Sequence, residues 1–248
     1  MRSLLPLTFC TLLLACGTDP APGTAPPVPA TDSATTSIAA VSWPGHYDGT
    51  LPCADCEGIA TQLWVRSDST FILRQRYIGK DSMALGTIGQ WHVVNGLMTI
   101  GSGTDKPDLW RFTEKGIENV DEMGHKFESA LNYTMEKLAD EINDEIPRMR
   151  LKGTFTYMAD AKNFQPCGSR FTWPCAGGMD QGAEEGEVLN SMNGADLERS
   201  YLKAVGQGGK PWVIEVECSL SMGPAMEGDG ADEYVFIHRV IKEGVPCP

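Results

Sequence analysis

The chain has 248 residues, with 33 acidic and 20 basic side chains and a formal net charge of −13 at pH 7. A protein this acidic repels phosphate backbones and anionic lipid headgroups. The charge therefore argues against nucleic acid as a partner and against membrane attachment through surface electrostatics. The length is enough for one large or two small domains.

The first fifteen residues have the layout of a secretory signal. Arg2 is their only charged residue, and a mainly apolar run extends from Leu4 to Ala15. This run is shorter than the roughly 20 residues of a membrane-spanning helix. Its end, Leu-Leu-Ala before Cys16, resembles the lipobox at which bacterial signal peptidase II cuts. We therefore predict cleavage after Ala15 and acylation of Cys16, for example with palmitate. The alternative is an ordinary signal peptide with an incidental cysteine.

The residues after Cys16 predict how the protein is held at the membrane. Gly17 follows the modified position, where an aspartate would favour retention in the inner membrane, so the prediction is the outer membrane, facing the periplasm. The three acyl chains expected on such a cysteine suffice for stable anchoring. Residues 17–42 are rich in Pro, Ala, Thr and Ser and have almost no large apolar side chains. We therefore predict that residues 16–42 form a tether, and that the segment after Cys16 can reach roughly 80 Å at about 3.1 Å per residue.

Residues 43–138 show a series of short strand patterns and no long helix pattern. Asn95-Gly96 is a strong signal for a tight hairpin. The predicted strands include Leu63–Val65, Thr70–Tyr77, Gly89–Val94, Leu97–Ile100, Asp108–Thr113, Gly116–Val120 and Lys126–Tyr133. Strands at this spacing predict a small antiparallel barrel.

A second β-rich unit is predicted over residues 150–248, after a linker at 139–149. The acidic stretch Met135 to Pro147 is typical of a short connector, for which a helix is one option. Apolar residues at helical spacing predict one helix over about Ala195 to Val205, with Asn193 as its N-cap. Predicted strands cover Leu151–Met158, Pro211–Leu220 and Glu233–Ile241. The whole protein is thus predicted to be all-β, the second unit being an OB-like five-stranded barrel with one helix.

Six cysteines remain once Cys10 is removed with the signal and Cys16 is acylated. They are Cys53, Cys56, Cys167, Cys175, Cys218 and Cys247. An even number in an exported chain indicates disulfides or metal ligands, and six cysteines allow fifteen full pairings.

The Cys53-Ala-Asp-Cys56 motif is the most informative local feature. Two cysteines at this spacing can share a soft metal ion such as Cu(I), or form a small disulfide. Structural zinc requires four ligands, and the sequence has no second pair of this kind. His46 is a candidate third metal ligand, although a lone histidine near a strand is more often packed or solvated. The residues leave the metal and disulfide interpretations open.

The sequence favours a non-enzymatic protein. It contains no Gly-x-Ser-x-Gly elbow, no His-Glu-x-x-His, no phosphate-binding glycine loop and no dinucleotide fingerprint. Its four histidines are isolated from one another. We therefore predict no catalytic residues, and Cu(I) is the only cofactor that the motifs suggest.

Several segments together resemble the NlpE family of copper-resistance lipoproteins. The similarity is closest over residues 44–138, where it rests on Gly45–Ile59, Asp68–Phe71, Tyr77–Lys80, Gly89–Trp91 and Leu131–Tyr133. A looser similarity in the second unit rests on Gly153–Ala161, on Phe164 and Cys167, on Leu197–Tyr201 and on Cys247.

The resemblance implies both a fold and a function. It implies a lipocalin-like first domain at 43–138 and an OB-like second domain at 150–248. It also implies an envelope-stress and surface-contact sensor that signals to an inner-membrane histidine kinase and is linked to copper tolerance. A disulfide between Cys167 and Cys247 is a further implication. Cys175 and Cys218 are additional to the family pattern, and we predict that they pair with each other.

Two other functions are compatible with the sequence. The first is a periplasmic Cu(I) buffer that uses Cys53 and Cys56. The second is a lipocalin-like carrier of an apolar ligand. Aromatic residues of the first barrel would line the carrier's cavity, or would simply fill the core. They are Trp64, Phe71, Tyr77 and Trp91.

Overall fold

The computed structural model describes residues 42–101, 106–139, 145–177, 192–229 and 231–247. The predicted signal, the predicted lipidation site Cys16 and all of the tether except Ser42 lie outside these ranges.

The first half forms a closed antiparallel barrel of eight strands. The strands are β1 (Gly45–Leu51), β2 (Ile59–Val65), β3 (Thr70–Tyr77), β4 (Leu85–Val94), β5 (Leu97–Gly101), β6 (Asp108–Phe112), β7 (Gly116–Val120) and β8 (Thr134–Lys137). Each strand pairs with its sequence neighbour, and β1 also pairs with β8, which closes the barrel. The prediction of a small antiparallel barrel is confirmed.

Side chains of the first barrel fill its interior. Because side chains alternate between the two faces of a strand, Leu63 and Val65 point inward while Trp64 points outward. The buried interior residues are Tyr47, Leu63, Val65, Phe71, Leu73, Met98, Ile100, Trp110, Ile117 and Met135. The Tyr47 hydroxyl donates to the Trp43 carbonyl over 2.6 Å, and Trp43 stacks on Phe112. Trp64 therefore lines no internal cavity, contrary to the carrier hypothesis.

Short turns lie at one end of this barrel and longer loops at the other. The β4–β5 turn contains Asn95 and Gly96 at φ 51° and 77°, the left-handed conformations of a tight hairpin turn. The hairpin prediction is thus confirmed. The connections at residues 52–58, 78–84 and 121–133 share the opposite end, because alternate strands run in opposite directions.

The second half is a five-stranded barrel with one helix. Its elements are β9 (Ile146–Met158), β10 (Ala161–Pro166), β11 (Trp173–Gly177), α1 (Gly194–Val205), β12 (Trp212–Pro224) and β13 (Ala231–Glu243). The strands pair in the closed order β9, β10, β11, β13, β12 and back to β9, with β11 parallel to β13. This is the OB plan that the sequence predicts.

Helix α1 begins and ends where the sequence signals indicate. The Asn193 side chain accepts a hydrogen bond from the Asp196 amide over 2.8 Å, which confirms the predicted N-cap. Leu197 and Tyr201 are fully buried, and Gly206 ends the helix at φ 80°. No helix among the described residues has the length and apolarity needed to cross a membrane.

Two predictions around the first barrel's last strand are wrong. Residues Lys126–Tyr133 do not form a strand, and the closing strand is β8. The Asp121 carboxylate accepts from the amides of Met123 and His125, and such local bonds compete with a sheet ladder. Met135 lies in β8 and not in a connector, while Ile146 and Pro147 belong to β9. Residues 140–144 of the predicted linker are outside the described ranges.

Candidate functional site

The Cys53–Cys56 motif lies in the loop between β1 and β2, at the long-loop end of the first barrel. The two sulfurs form a disulfide, with the Cα atoms 5.3 Å apart. Both cysteines are partly exposed. Leu51 and Ile59 pair at the base of the loop, so the barrel holds both ends of the motif. The structure therefore presents the motif to solvent in its oxidised form.

An ion pair joins this loop to the neighbouring β3–β4 loop. The Lys80 ammonium donates to the Asp55 carboxylate between the two cysteines. This hydrogen bond and the charge of Lys80 hold the pKa of the Asp55 carboxyl below its usual value. Both side chains are largely exposed, so the pair contributes little to stability. Its effect is to place one positive charge beside the motif.

Backbone geometry brings the two loops together. The Ile78 amide donates to the Gly58 carbonyl over 2.9 Å. Gly79 adopts φ 80°, a conformation that favours glycine, in the turn that presents Lys80. Residues 54–57 and 78–80 line an open depression of about 470 Å³. The motif thus has a defined, solvent-accessible neighbourhood.

The residues that could hold a metal are Cys53, Asp55 and Cys56. One ligand atom from each lies within 4.8 Å of the other two. The Cys53 sulfur is 3.6 Å from Asp55 Oδ1. A disulfide has no thiolate to offer, so metal binding requires reduction of the bridge. Once reduced, two thiolates in one short loop suit a soft ion such as Cu(I).

His46 is not part of this group, and its prediction as a third ligand is wrong. It pairs with Trp64 at the far end of β1 and stacks on the Trp64 ring at a centroid distance of 4.4 Å. Five residues separate His46 from Leu51, or about 17 Å along an extended strand. One ion therefore cannot reach both His46 and the cysteines.

The second disulfide joins Cys167 to Cys247, as the family resemblance implies. Its Cα atoms are 5.2 Å apart, and the bridge closes a sequence separation of 80 residues. Cys167 directly follows β10, and its amide donates to the Lys152 carbonyl of β9. The bridge therefore fixes the C-terminal segment to the β9–β10 edge of the second barrel.

The predicted bridge between Cys175 and Cys218 is not formed in the structure. Cys175 lies on β11 and Cys218 on β12, and β13 runs between these strands. Two strand spacings amount to about 10 Å, whereas a disulfide requires Cα atoms within about 7 Å. Both cysteines are buried free thiols. Burial raises the pKa of each thiol far above its ordinary value, so both are protonated and weakly nucleophilic.

Sequence reasoning missed the charged residues that connect separate elements. Lys80 reaches the cysteine motif from another loop, and Arg66 of the first barrel pairs with Glu233 of β13. Neither pair is close in sequence. The one local signal is Gly79, which marks the turn before Lys80.

Comparison with known proteins matches both halves of the chain in order. Residues 47–130 match the family model described as the NlpE N-terminal domain. Residues 145–243 match the NlpE C-terminal OB domain. The chain is also 31% identical over 176 residues to Lipoprotein NlpE of Escherichia coli (strain K12), a match that covers 70% of this chain and 67% of that protein.

Solved structures include two similar chains. The Cpx pathway activator NlpE from Escherichia coli is 27% identical, with a TM-score of 0.33, covering 78% of this chain and 92% of that one. A putative lipoprotein from Shewanella oneidensis is 31% identical, with a TM-score of 0.37, covering 43% of this chain and 98% of that one. On the strength of the two family matches and the Escherichia coli sequence, this chain belongs to the NlpE family of lipoproteins.

Proposed function

We propose that this protein is an outer-membrane lipoprotein that senses envelope stress and surface contact. It signals through protein contact with an inner-membrane sensor histidine kinase. The match to both family domains in their order carries this proposal. The Escherichia coli relative is described as an activator of the Cpx pathway. The lipobox and the tether sequence before the first barrel support a position away from the membrane surface.

The lipid anchor is tested by substituting Cys16. Cys16→Ser removes the only acylation site in the predicted lipobox, and we expect the variant to leave the outer-membrane fraction. Cys10→Ser is the matched control, because Cys10 lies in the predicted signal and is lost on cleavage. Retention of Cys16→Ser in the outer membrane would refute the anchor.

The signalling role is tested in a Gram-negative host that lacks its own NlpE. Overproducing the chain should raise the output of an envelope-stress reporter only when the host retains the sensor kinase. Deleting the kinase gene should abolish the rise. An equal rise in both strains would show that the chain causes stress without contacting the kinase.

We further propose that copper binds to the reduced Cys53 and Cys56 thiolates. We expect the reduced protein to bind one Cu(I) far more tightly than Zn(II), because two thiolates satisfy Cu(I) while zinc prefers four ligands. Competitive titration against a Cu(I) chelator measures this. Cys53→Ser/Cys56→Ser should lose the binding, and Cys175→Ser/Cys218→Ser should keep it. Equal uptake by wild type and the first variant would remove copper from this site.

A Cu(I) buffer is the second candidate function, and the exposure of the motif favours it. The buffer and the sensor differ in one measurable respect. A buffer acts without the kinase, so copper tolerance conferred by the chain should persist when the kinase gene is deleted. The carrier hypothesis receives less support, because ten buried side chains fill the first barrel.

A further inference from the structure

The second barrel covers one outer side of the first barrel and leaves another side without a paired strand. Trp64, Ile72 and Ile88 form a row across β2, β3 and β4, and each is at most 1% exposed. They belong to one apolar cluster with Met149 of β9, so the second barrel packs against this side. None of β5, β6 and β7 pairs with a described strand of the second barrel.

A groove lies beside β6 and β7, against the segment that follows β7. Leu109 of β6 pairs with Val120 of β7, and both point outward because the neighbouring Trp110 points into the barrel. These two side chains line the groove together with Met123 and Phe127 of the following segment. Its volume is about 690 Å³, and Met123 is 78% exposed. Concave apolar surfaces of this size are where proteins bind ligands.

Hydrogen bonds and ring packing hold the wall of the groove in place. The Asp121 carboxylate accepts from the amides of Met123 and His125 over 2.9 and 2.8 Å. The Phe127 ring packs on Tyr133 at a centroid distance of 4.5 Å. The wall is therefore formed before anything binds, which reduces the entropy lost on binding.

The charges around the groove are mainly negative. Asp108, Asp121 and Glu122 line it, and Lys106 is the one cation among the lining residues that the structure describes. Lys106 pairs with Glu122, and these side chains are 70% and 72% exposed. An ion pair this exposed is weak, so another cation can replace Lys106.

The Asp108 carboxylate has no partner of its own. No residue in the described part of the chain donates a hydrogen bond to it. Desolvation by the surrounding protein raises the pKa of the Asp108 carboxyl above its usual value, and the charge of Lys106 opposes this only in part. A partly desolvated carboxylate is stabilised by an approaching cation. The groove thus combines an apolar surface with an unpaired negative charge.

We propose that this groove binds a peptide segment in which a lysine or arginine stands beside apolar side chains. The cationic group pairs with Asp108 and replaces Lys106 at Glu122, while its apolar neighbours cover Leu109 and Met123. Charge complementarity of this kind selects the partner and the register in which it binds. The groove is open along one side, so a longer chain can continue past it at both ends. This proposal requires neither the kinase nor copper and goes beyond the proposed signalling function.

Selection from a displayed library of random heptapeptides tests which chemistry the groove takes. The target is the full-length chain carrying Cys16→Ser, so that no acyl chain occupies an apolar surface. We expect several-fold enrichment of peptides with Lys or Arg next to an apolar residue. The same selection on a target that also carries Asp108→Asn and Met123→Ser should lose this enrichment. The proposal is overturned if no such peptides are enriched, or if both targets enrich them equally.

The two substitutions are then separated by fluorescence anisotropy with the most enriched peptide. Asp108→Asn should weaken binding several-fold and flatten its dependence on salt, because a charge pair is screened by ions. Met123→Ser should weaken binding without changing the salt dependence. Asp229→Asn and Met158→Ser are the matched controls, since both replace exposed side chains of the second barrel. Unchanged affinity in Asp108→Asn, or an equal loss in the controls, would contradict the assignment.

A second copy of the chain is the competing occupant of the groove. Sedimentation velocity of the same Cys16→Ser chain at rising concentration should show a monomer. A dimer that Met123→Ser dissociates would overturn the proposal, because the groove would then be an interface between copies. These measurements involve no kinase, so failure of peptide binding would leave the proposed signalling function standing.

Discussion

The first barrel closes eight strands through antiparallel pairings alone and fills its interior with its own side chains. The second barrel closes five strands, and one of its pairings, between β11 and β13, is parallel. The two barrels also differ in the disulfide that each contains. Cys53–Cys56 closes a three-residue separation in an exposed loop, and Cys167–Cys247 closes 80 residues around the second barrel. These separations predict a structural role for the long bridge, while the proposed copper chemistry belongs to the short one.

Removing each bridge in turn tests this difference between the two disulfides most directly. The chain-entropy relation gives about 4.5 kcal/mol for a loop of 80 residues and below about 2 kcal/mol for the short loop. We expect Cys167→Ser/Cys247→Ser to lower the free energy of unfolding by about the larger amount, and Cys53→Ser/Cys56→Ser by no more than the smaller one. Urea unfolding of both variants measures this. Equal losses would contradict the division of roles.

The buried thiols Cys175 and Cys218 form a third class of cysteine, within the second barrel. Burial raises the pKa of Cys175 and Cys218, so above the ordinary thiol pKa of about 8.5 the folded state holds protons that the unfolded state releases. Their contribution to stability is therefore complete below that pH and is lost as pH rises. The expected slope is up to about 1.4 kcal/mol per pH unit for each thiol.

Urea unfolding between pH 7.5 and pH 10 tests this dependence. Cys175→Ala/Cys218→Ala is the comparison variant, since it lacks both thiols while every other titrating group remains. Its stability should fall less steeply with pH than that of the wild type. Identical slopes would mean either that the thiols ionise in the folded protein or that they are joined in a disulfide. The same measurement bears on the absent bridge, because a Cys175–Cys218 disulfide would have no thiol to titrate.

Local signals allowed parts of both barrels to be predicted from the sequence. Asn95-Gly96 specifies its turn because both residues tolerate positive φ. Asn193 caps α1 through a hydrogen bond to the amide of Asp196, three residues further along the chain. Alternation along β2 was equally visible. The sequence did not show which face of β2 would be covered, because the barrel that buries Trp64 begins some eighty residues later.

The candidate site shows the same limit. The Cys53–Cys56 motif could be found because its members are adjacent in the chain. The error at Cys175 and Cys218 arose because pairing depends on strand order, and β13, which separates them, follows both in sequence. The error at His46 arose because proximity in sequence along a strand becomes distance in space. Only the family resemblance predicted a contact between distant residues, the Cys167–Cys247 bridge.

The helix provides the smallest test of how the second barrel is held together. Because the Asn193 side chain satisfies an otherwise unpaired amide at the start of α1, Asn193→Ala should lower the free energy of unfolding by about 1 kcal/mol. Arg199→Gln is the control within the same helix, since its exposed pair with Asp196 should contribute less. If the long bridge already fixes the second barrel, the loss from Asn193→Ala should grow when combined with Cys167→Ser/Cys247→Ser. A double-mutant cycle in urea measures that coupling, and strictly additive losses would show that the helix and the bridge stabilise the barrel independently.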